Sequence, residues 1–496
     1  MKYFELISLT AIVFFGLGVW FAYMHRLKRF FYRAMLVQAV MKLRQKDESL
    51  VLMSDYILSR TAEKLTFCHK SVCRQIFNEL LQNNYTALTE RVKSADEVLG
   101  LCLLAHFAPN KAEKQLGKML KKHPDNDDLL LLSAMMQAVK FNYSALEKTL
   151  KKIKDKKLNA LAKAEFMLLQ AKLCMYKADM AQAVKLLAES GRIFKKHHCG
   201  YGESEVYFVA GEIYRVCAIS DVSQMMFETA GNIAADIGGK NEAAKSVAAK
   251  GMLTAGQNRF AEAADFFAES RKVFHQSGFI KSEAEVINQQ ALLFVMQNKP
   301  AMAVRYASEA LNMHRQSNNK AGMSQSSEII SMATFRQKKY AESLEYALAA
   351  QKGYLEAENY AAYFDAAFLE IQALFMQNWL ETAEKRCFEV LQAAKKHRTN
   401  FYIADIYGFL GTIYMRLNNW QKAKQMFCRS VKIEVAEKRD AGVASDYANL
   451  ALIESKLLKY AKSKEYAAKA KEAAERTGDE NLIKSVCKQI ESAVKV

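Results

Sequence analysis

An all-α array of stacked helix pairs, preceded by a single transmembrane helix, is the fold class this sequence predicts. Three observations carry the prediction. Small residues recur every 40 positions, at Ala183, Ser223, Ala263, Ala303, Ser343, Ala383, Ala423 and Ser463. A second small series runs twelve positions ahead of them, at Ala171, Gly211, Gly251, Ala291, Ser331, Ile371, Gly411 and Ala451, and only Ile371 breaks the size rule. Prolines number three in 496 residues (Pro109, Pro124 and Pro300), as expected of a chain that is helical nearly throughout. A fixed period of this length marks two-helix units, each burying its apolar face against its neighbours. The small residues fall where paired helices approach most closely, because a bulky side chain there would push the backbones apart.

Residues 1–24 read as the membrane anchor. Leu6–Met24 holds no charged residue and is dominated by Leu, Ile, Val, Phe and Trp. Nineteen helical residues span about 28 Å, the thickness of a bilayer's hydrocarbon core. Trp20 and Tyr23 stand near one end, where interfacial aromatics belong. The basic flank that follows, beginning with Arg26, Lys28, Arg29 and Arg33, faces the membrane surface and places the repeats in the cytoplasm by the positive-inside rule. Residues 25–92 continue as a basic juxtamembrane helical segment. Residues 1–160 hold 26 of the 71 Lys and Arg against 15 of the 53 acids, so the basic excess gathers near the anchor. Anionic lipid headgroups are the partner this placement suits. No nucleic-acid-reading motif accompanies the basic surface, and nucleic acid is not an expected partner.

Residues 93–160 form two shorter, degenerate units, and residues 161–480 form eight units of 40. Within each long unit further positions share one helix face, among them Leu187, Phe227, Phe267 and Phe427 four residues after the first series. Residues 481–496 read as a capping helix, with Leu482, Val486, Ile490 and Val494 inward and Lys484, Lys488 and Glu491 on the solvated side.

The pattern resembles the tetratricopeptide (TPR) family, with a small residue at its eighth position and Ala or Ser at its twentieth. The shorter unit Lys93–Asn126 carries Leu99-Gly100, Leu103, Ala112, Leu116 and Pro124 at that family's spacings. The long units depart from it. They lack the closing proline, and their period of 40 exceeds the usual one of about 34, as in repeats of the kinesin light chain type, where both helices are longer.

The resemblance implies a concave groove lined by the first helix of each unit at positions two, five, nine and twelve. Position two then supplies Glu165, Glu205, Glu285, Asp365 and Asp405, an acidic rail in a basic chain. Positions five and twelve supply Phe208, Phe368, Phe335, Phe375 and Met415. Such a rail beside aromatic and methionine side chains suits a protein or peptide partner, including a basic amphipathic segment. Reversing the charge of Asp365 and Asp405 is expected to abolish capture and leave the melting of the chain unchanged.

No phosphate-binding glycine loop, nucleophile elbow or zinc-protease helix occurs, so enzyme activity and a cofactor are not expected. Cys68-His69 with Cys73, and His197-His198-Cys199, carry metal-ligand residue types without a second pair at zinc spacing, and no metal is expected. Nine cysteines without paired spacing point to free thiols in a reducing compartment.

The functional expectation is a non-enzymatic scaffold or adaptor of a bacterial inner membrane, recruiting partners through its groove. The alternatives are a receptor or co-chaperone in protein targeting or envelope assembly, and a peptide-sensing regulator. Anchored TPR proteins of bacterial inner membranes and TPR receptors of mitochondrial outer membranes are similar in layout. Peptide-sensing bacterial regulators are similar in repeat length.

Overall fold

The computed structural model describes residues 109–494 apart from 140–141, 155–157, 178 and 398. The expected anchor Leu6–Met24, its flank Arg26, Lys28, Arg29 and Arg33, and the Cys68/His69/Cys73 cluster lie outside the described residues. Among the described residues no helix is long and apolar enough to cross a membrane.

Twenty helices and no strand make up the described residues. Three shorter ones come first: α1 (Pro109–Lys122), α2 (Asp127–Val139) and α3 (Tyr143–Leu150). Eight pairs follow: α4 (Ala160–Tyr176) with α5 (Met180–Lys196), α6 (Gly200–Val216) with α7 (Ser220–Asp236), α8 (Lys240–Gly256) with α9 (Phe260–Ser277), and α10 (Ile280–Met296) with α11 (Pro300–Gln316). Then come α12 (Lys320–Arg336) with α13 (Tyr340–Glu356), α14 (Tyr360–Met376) with α15 (Leu380–His397), α16 (Asn400–Arg416) with α17 (Trp420–Ala436), and α18 (Asp440–Lys456) with α19 (Tyr460–Thr477). The last helix is α20 (Glu480–Val494), which buries Val486 and packs Leu482, Ile483 and Ile490 against the preceding pair.

The 40-residue repeat is therefore two modules of 20, each a helix of 17 or 18 residues and a short turn. The turn explains why no proline is needed. One residue in each described turn from His198 to Gly478 has positive φ, and these residues fall 20 apart: Ala218, Gly238, Asn258, Gly278, and so on to Leu458. The next amide donates back into the helix, as Cys199 N does to Phe194 O (2.9 Å) and Lys459 N to Glu454 O (2.8 Å). A left-handed residue followed by this bond satisfies the carbonyls that a helix end leaves orphaned, and so stops the helix without proline. Asn159, Asp179, Asn359 and Asn419 cap the helices that follow them by accepting from the amide three residues on.

The small series pack as expected, with hydroxyls satisfied across the pair. Ser223 Oγ donates to Gly211 O (2.9 Å), Ser343 Oγ to Ser331 O (2.9 Å) and Ser463 Oγ to Ala451 O (2.9 Å). A buried serine is tolerated here because the facing helix supplies its acceptor. Volume is matched as well. Where the first helix has Gly211, Gly251 or Gly411, the second sets Phe227, Phe267 or Phe427 into the gap. Where the first helix carries Ile371, the second carries Cys387, and both are fully buried. The residue that broke the size rule is thus compensated sixteen positions later. The same matching joins one repeat to the next, with Phe194 over Gly202, His314 over Gly322 and Glu434 over Gly442.

The chain divides into two compact units. Unit 1 comprises the chain up to Gln297 with Arg305–Gly322, and unit 2 comprises Asn298–Val304 with Met323–Val496. In unit 1, α1–α3 share a core with α4 through Leu129, Leu131, Leu146, Phe166 and Leu169. In unit 2 the core runs from Ala350 to Ile453 and includes Phe364, Ile371, Leu410 and Phe427.

Candidate partner-binding face

Each first helix leaves one stripe open to solvent while its other faces are buried. In α16 the residues short of full burial include Asp405, Gly408, Phe409, Thr412 and Met415. In α14 they include Asp365, Phe368, Gln372 and Phe375, and in α6 Glu205, Phe208, Glu212 and Arg215. Spacings of three and four keep each set on one side of its helix.

In unit 1 this stripe is charge-paired. Lys172 Nζ donates to Glu205 Oε1 (2.9 Å), and Lys245 Nζ lies 3.9 Å from Glu205 Oε2. Lys245 also stands 4.1 Å from the centroid of Phe208, a cation–π contact that occupies the ring. The Glu285 side chain reaches solvent, yet neighbouring helices desolvate its carboxyl and raise its pKa, against the pull of Lys281 and Lys245. Glu165 is buried and does not belong to the open stripe, because α4 packs against α2 and α3 through the adjacent Phe166.

In unit 2 the stripe is acidic and aromatic. Phe409 is the centre of an aromatic group, with Phe368 at 5.3 Å and Phe375 at 5.4 Å between ring centroids, both edge-on. Phe335 packs instead on Tyr340 (5.4 Å), and Met415 rests against the core. Tyr402 Oη donates to Asp365 Oδ1 (3.1 Å), and Arg439 Nη2 donates to Asp405 Oδ1 (2.9 Å). Burial raises the Asp365 carboxyl, opposed by Tyr402 and reinforced by Asp405. These bonds bear on the expectation that both acids can be reversed with melting unchanged. A lysine at 405 would set two cations together and leave Glu434 as the one acid paired with Arg439.

Sequence reasoning missed two residues of this face and one acid buried behind it. Phe409 sits one position beyond the expected line. Glu328 on α12 accepts from Tyr354 Oη (2.5 Å), and burial pushes its carboxyl up to about 7, opposed by that hydroxyl and aided by Asp365. Asp446 on α18 is buried, and its carboxyl is likewise pushed up to about 7 by burial, with Ser430 opposing and Glu434 and Asp405 adding. Equivalent positions in other repeats hold Val286 and Ala366, so the Asp446 position looks apolar by periodicity.

No group of three His, Cys, Asp or Glu side chains is placed to hold a metal ion among the described residues. Cys199 of the His197-His198-Cys199 cluster is buried at the start of α6, and His198 supplies a left-handed turn residue. The six cysteines among the described residues are free thiols.

No family model matches the chain, and no curated protein matches it. Solved structures do. A Rap protein complexed with Competence and Sporulation Factor matches with a TM-score of 0.50 and 13% identity, covering 70% of this chain and 98% of that one. The tetratricopeptide sensor protein of the STAND class from Pyrococcus horikoshii matches at 0.46 and 15%, covering 77% and 56%. The apo quorum sensor NprR from B. thuringiensis matches at 0.44 and 14%, covering 70% and 99%. The fold is thus that of TPR-like helical repeats.

Proposed function

We propose that this chain is a non-catalytic recognition array that captures a protein segment or peptide on the open stripes of its first helices, held at a membrane by Leu6–Met24. The observation that carries the reading is the Phe368–Phe409–Phe375 group, part-exposed on the same face as Asp365 and Asp405. Aromatic side chains that project from rigid helices and keep part of their surface wet are suited to anchoring a partner's apolar residue, while the acids select its charge. The anchor would raise the local concentration of the array at the membrane. A Rap protein of like fold, solved with Competence and Sporulation Factor, supports the view that such arrays work by holding a partner.

The test is Phe409→Ala in the full-length protein, cross-linked in its native membrane. Loss of one dominant co-purifying protein, with helicity retained, would support the reading. The same partner recovered at the same yield would count against it.

A further inference from the structure

Five carboxylates of unit 2 form a continuous run across successive repeats: Glu328 on α12, Asp365 on α14, Asp405 on α16, Glu434 on α17 and Asp446 on α18. Each acts electrostatically on a neighbour, Asp365 on Glu328, Asp405 on Asp365, and Glu434 with Asp405 on Asp446. Among the described residues one cation bears on the run. Arg439 bonds Asp405 Oδ1 (2.9 Å), lies 3.2 Å from Glu434 Oε2, donates to Phe401 O (3.1 Å) and stacks 3.8 Å from the Phe401 ring centroid. The other groups acting on these acids are the Glu437 carboxylate on Glu434 and neutral hydroxyls: Tyr354 on Glu328, Tyr402 on Asp365 and Ser430 on Asp446.

Two features separate this run from ordinary surface acids. First, its contacts lie on the seams between repeats. Tyr402 ties α16 to α14 through both Asp365 Oδ1 and Ala361 O (each 3.1 Å), and Arg439 ties the turn before α18 to the start of α16. Second, the run ends in buried, incompletely satisfied carboxylates. Asp446 is 7% exposed and Glu434 2% exposed; among the described residues Asp446 Oδ2 has no hydrogen-bond partner, and Glu434 Oε2 has only the Arg439 ion pair. Buried like charges with one cation between them repel across the seams unless some are neutralised.

We propose that this run is a proton-operated brace: proton uptake by Glu328 and Asp446 relieves the repulsion along it and draws the starts of α14, α16 and α18 together, and proton loss loosens them. The sign follows from linkage. Glu328 and Asp446 take up protons near pH 7 in the folded chain, against 4.5 and 3.8 for the free side chains. Between those limits the native state binds protons that the unfolded chain does not, so seam stability grows as pH falls through 7 and is lost above it. The brace does not depend on any partner being bound.

The test is hydrogen exchange on the full chain at pH 6 and pH 8, corrected for intrinsic rates, in wild type and in the isosteric Glu328→Gln/Asp446→Asn variant. Local opening is what this measurement reads. The brace requires amides early in α14, α16 and α18 to be about tenfold or more better protected at pH 6 than at pH 8 in wild type, the factor that one bound proton contributes for each tenfold rise in proton concentration. In the variant that difference should vanish, while α6 and α8 of unit 1 behave alike in both proteins. Equal protection at the two pH values in wild type, or an undiminished difference in the variant, would overturn it.

Discussion

Phe427 fills the space that a methyl group on Gly411 would need: a Cβ built at Gly411 would lie 2.6 Å from Phe427 Cε2. The same relation holds for Gly251 with Phe267 and Gly211 with Phe227, while other repeats set Ala171 opposite Leu187 and Ile371 opposite Cys387. Ala291–Ala307, Ser331–Ala347 and Ala451–Ala467 set two small residues together, whereas these five repeats divide a similar volume between the two positions. Close packing of interiors makes that division strict.

Gly411→Ala should therefore destabilise α16 and α17. Alanine normally stabilises a helix interior relative to glycine, but here overpacking by one methyl costs about 1–3 kcal/mol. Adding Phe427→Leu, which recreates the Ala171–Leu187 pairing, should recover part of the loss. Denaturant unfolding of wild type and the two variants checks this, and a single variant as stable as wild type would contradict the volume rule.

The left-handed turn residues make a second prediction. Leu458 holds φ 59° and is 71% exposed, so it has strain and no compensating burial. Leu458→Gly should raise stability by about 1 kcal/mol, since a non-glycine residue in this conformation costs that order. Gly278→Ala, at φ 70°, should lower it. Thermal melts of the two variants should shift in opposite directions.

His314 should make unit 1 acid-sensitive. It is fully buried over Gly322, and burial lowers its pKa from 6.5 to about 4, with Lys281 acting in the same direction. Its folded pKa is below its unfolded value, so the unfolded chain binds the extra proton first and stability falls as pH drops below about 6.5. His314→Phe, the residue at the equivalent positions 194 and 274, should shrink the difference in unfolding midpoint between pH 7 and pH 5. An unchanged difference would assign the acid sensitivity elsewhere.

Much of the fold was legible in the sequence because the 40-residue period is a packing constraint, and packing constraints repeat. The turns were less legible. A left-handed stop normally announces itself by glycine, but Ala218, Lys338, Glu358 and Leu458 adopt it in this chain, held by the bond that closes the helix. The site was legible only in outline. The cations that pair the acidic rail come from neighbouring repeats, Lys172 for Glu205 from 33 residues away and Arg439 for Asp405 from 34, and a reading of one helix face cannot see them. Glu328 and Asp446 were missed because the other repeats hold mostly apolar or small residues there, such as Phe208 and Phe368 for Glu328 and Val286 and Ile406 for Asp446, so the period gives no reason to expect a carboxylate. Phe409 was missed because a helix of 3.6 residues per turn lets its open stripe drift by one position.

The central claim is that the open face of unit 2 selects a partner by charge beside its aromatic group. Asp365→Asn with Asp405→Asn tests it most directly, because the amides keep the size and hydrogen-bonding reach of the acids where lysines would oppose Arg439. Full-length wild type and variant would be cross-linked in the native membrane at low and high salt. One dominant partner is expected, weakened by salt in wild type and lost in the variant, with circular dichroism unchanged. A partner retained by the variant at wild-type yield, with the same salt response, would contradict it.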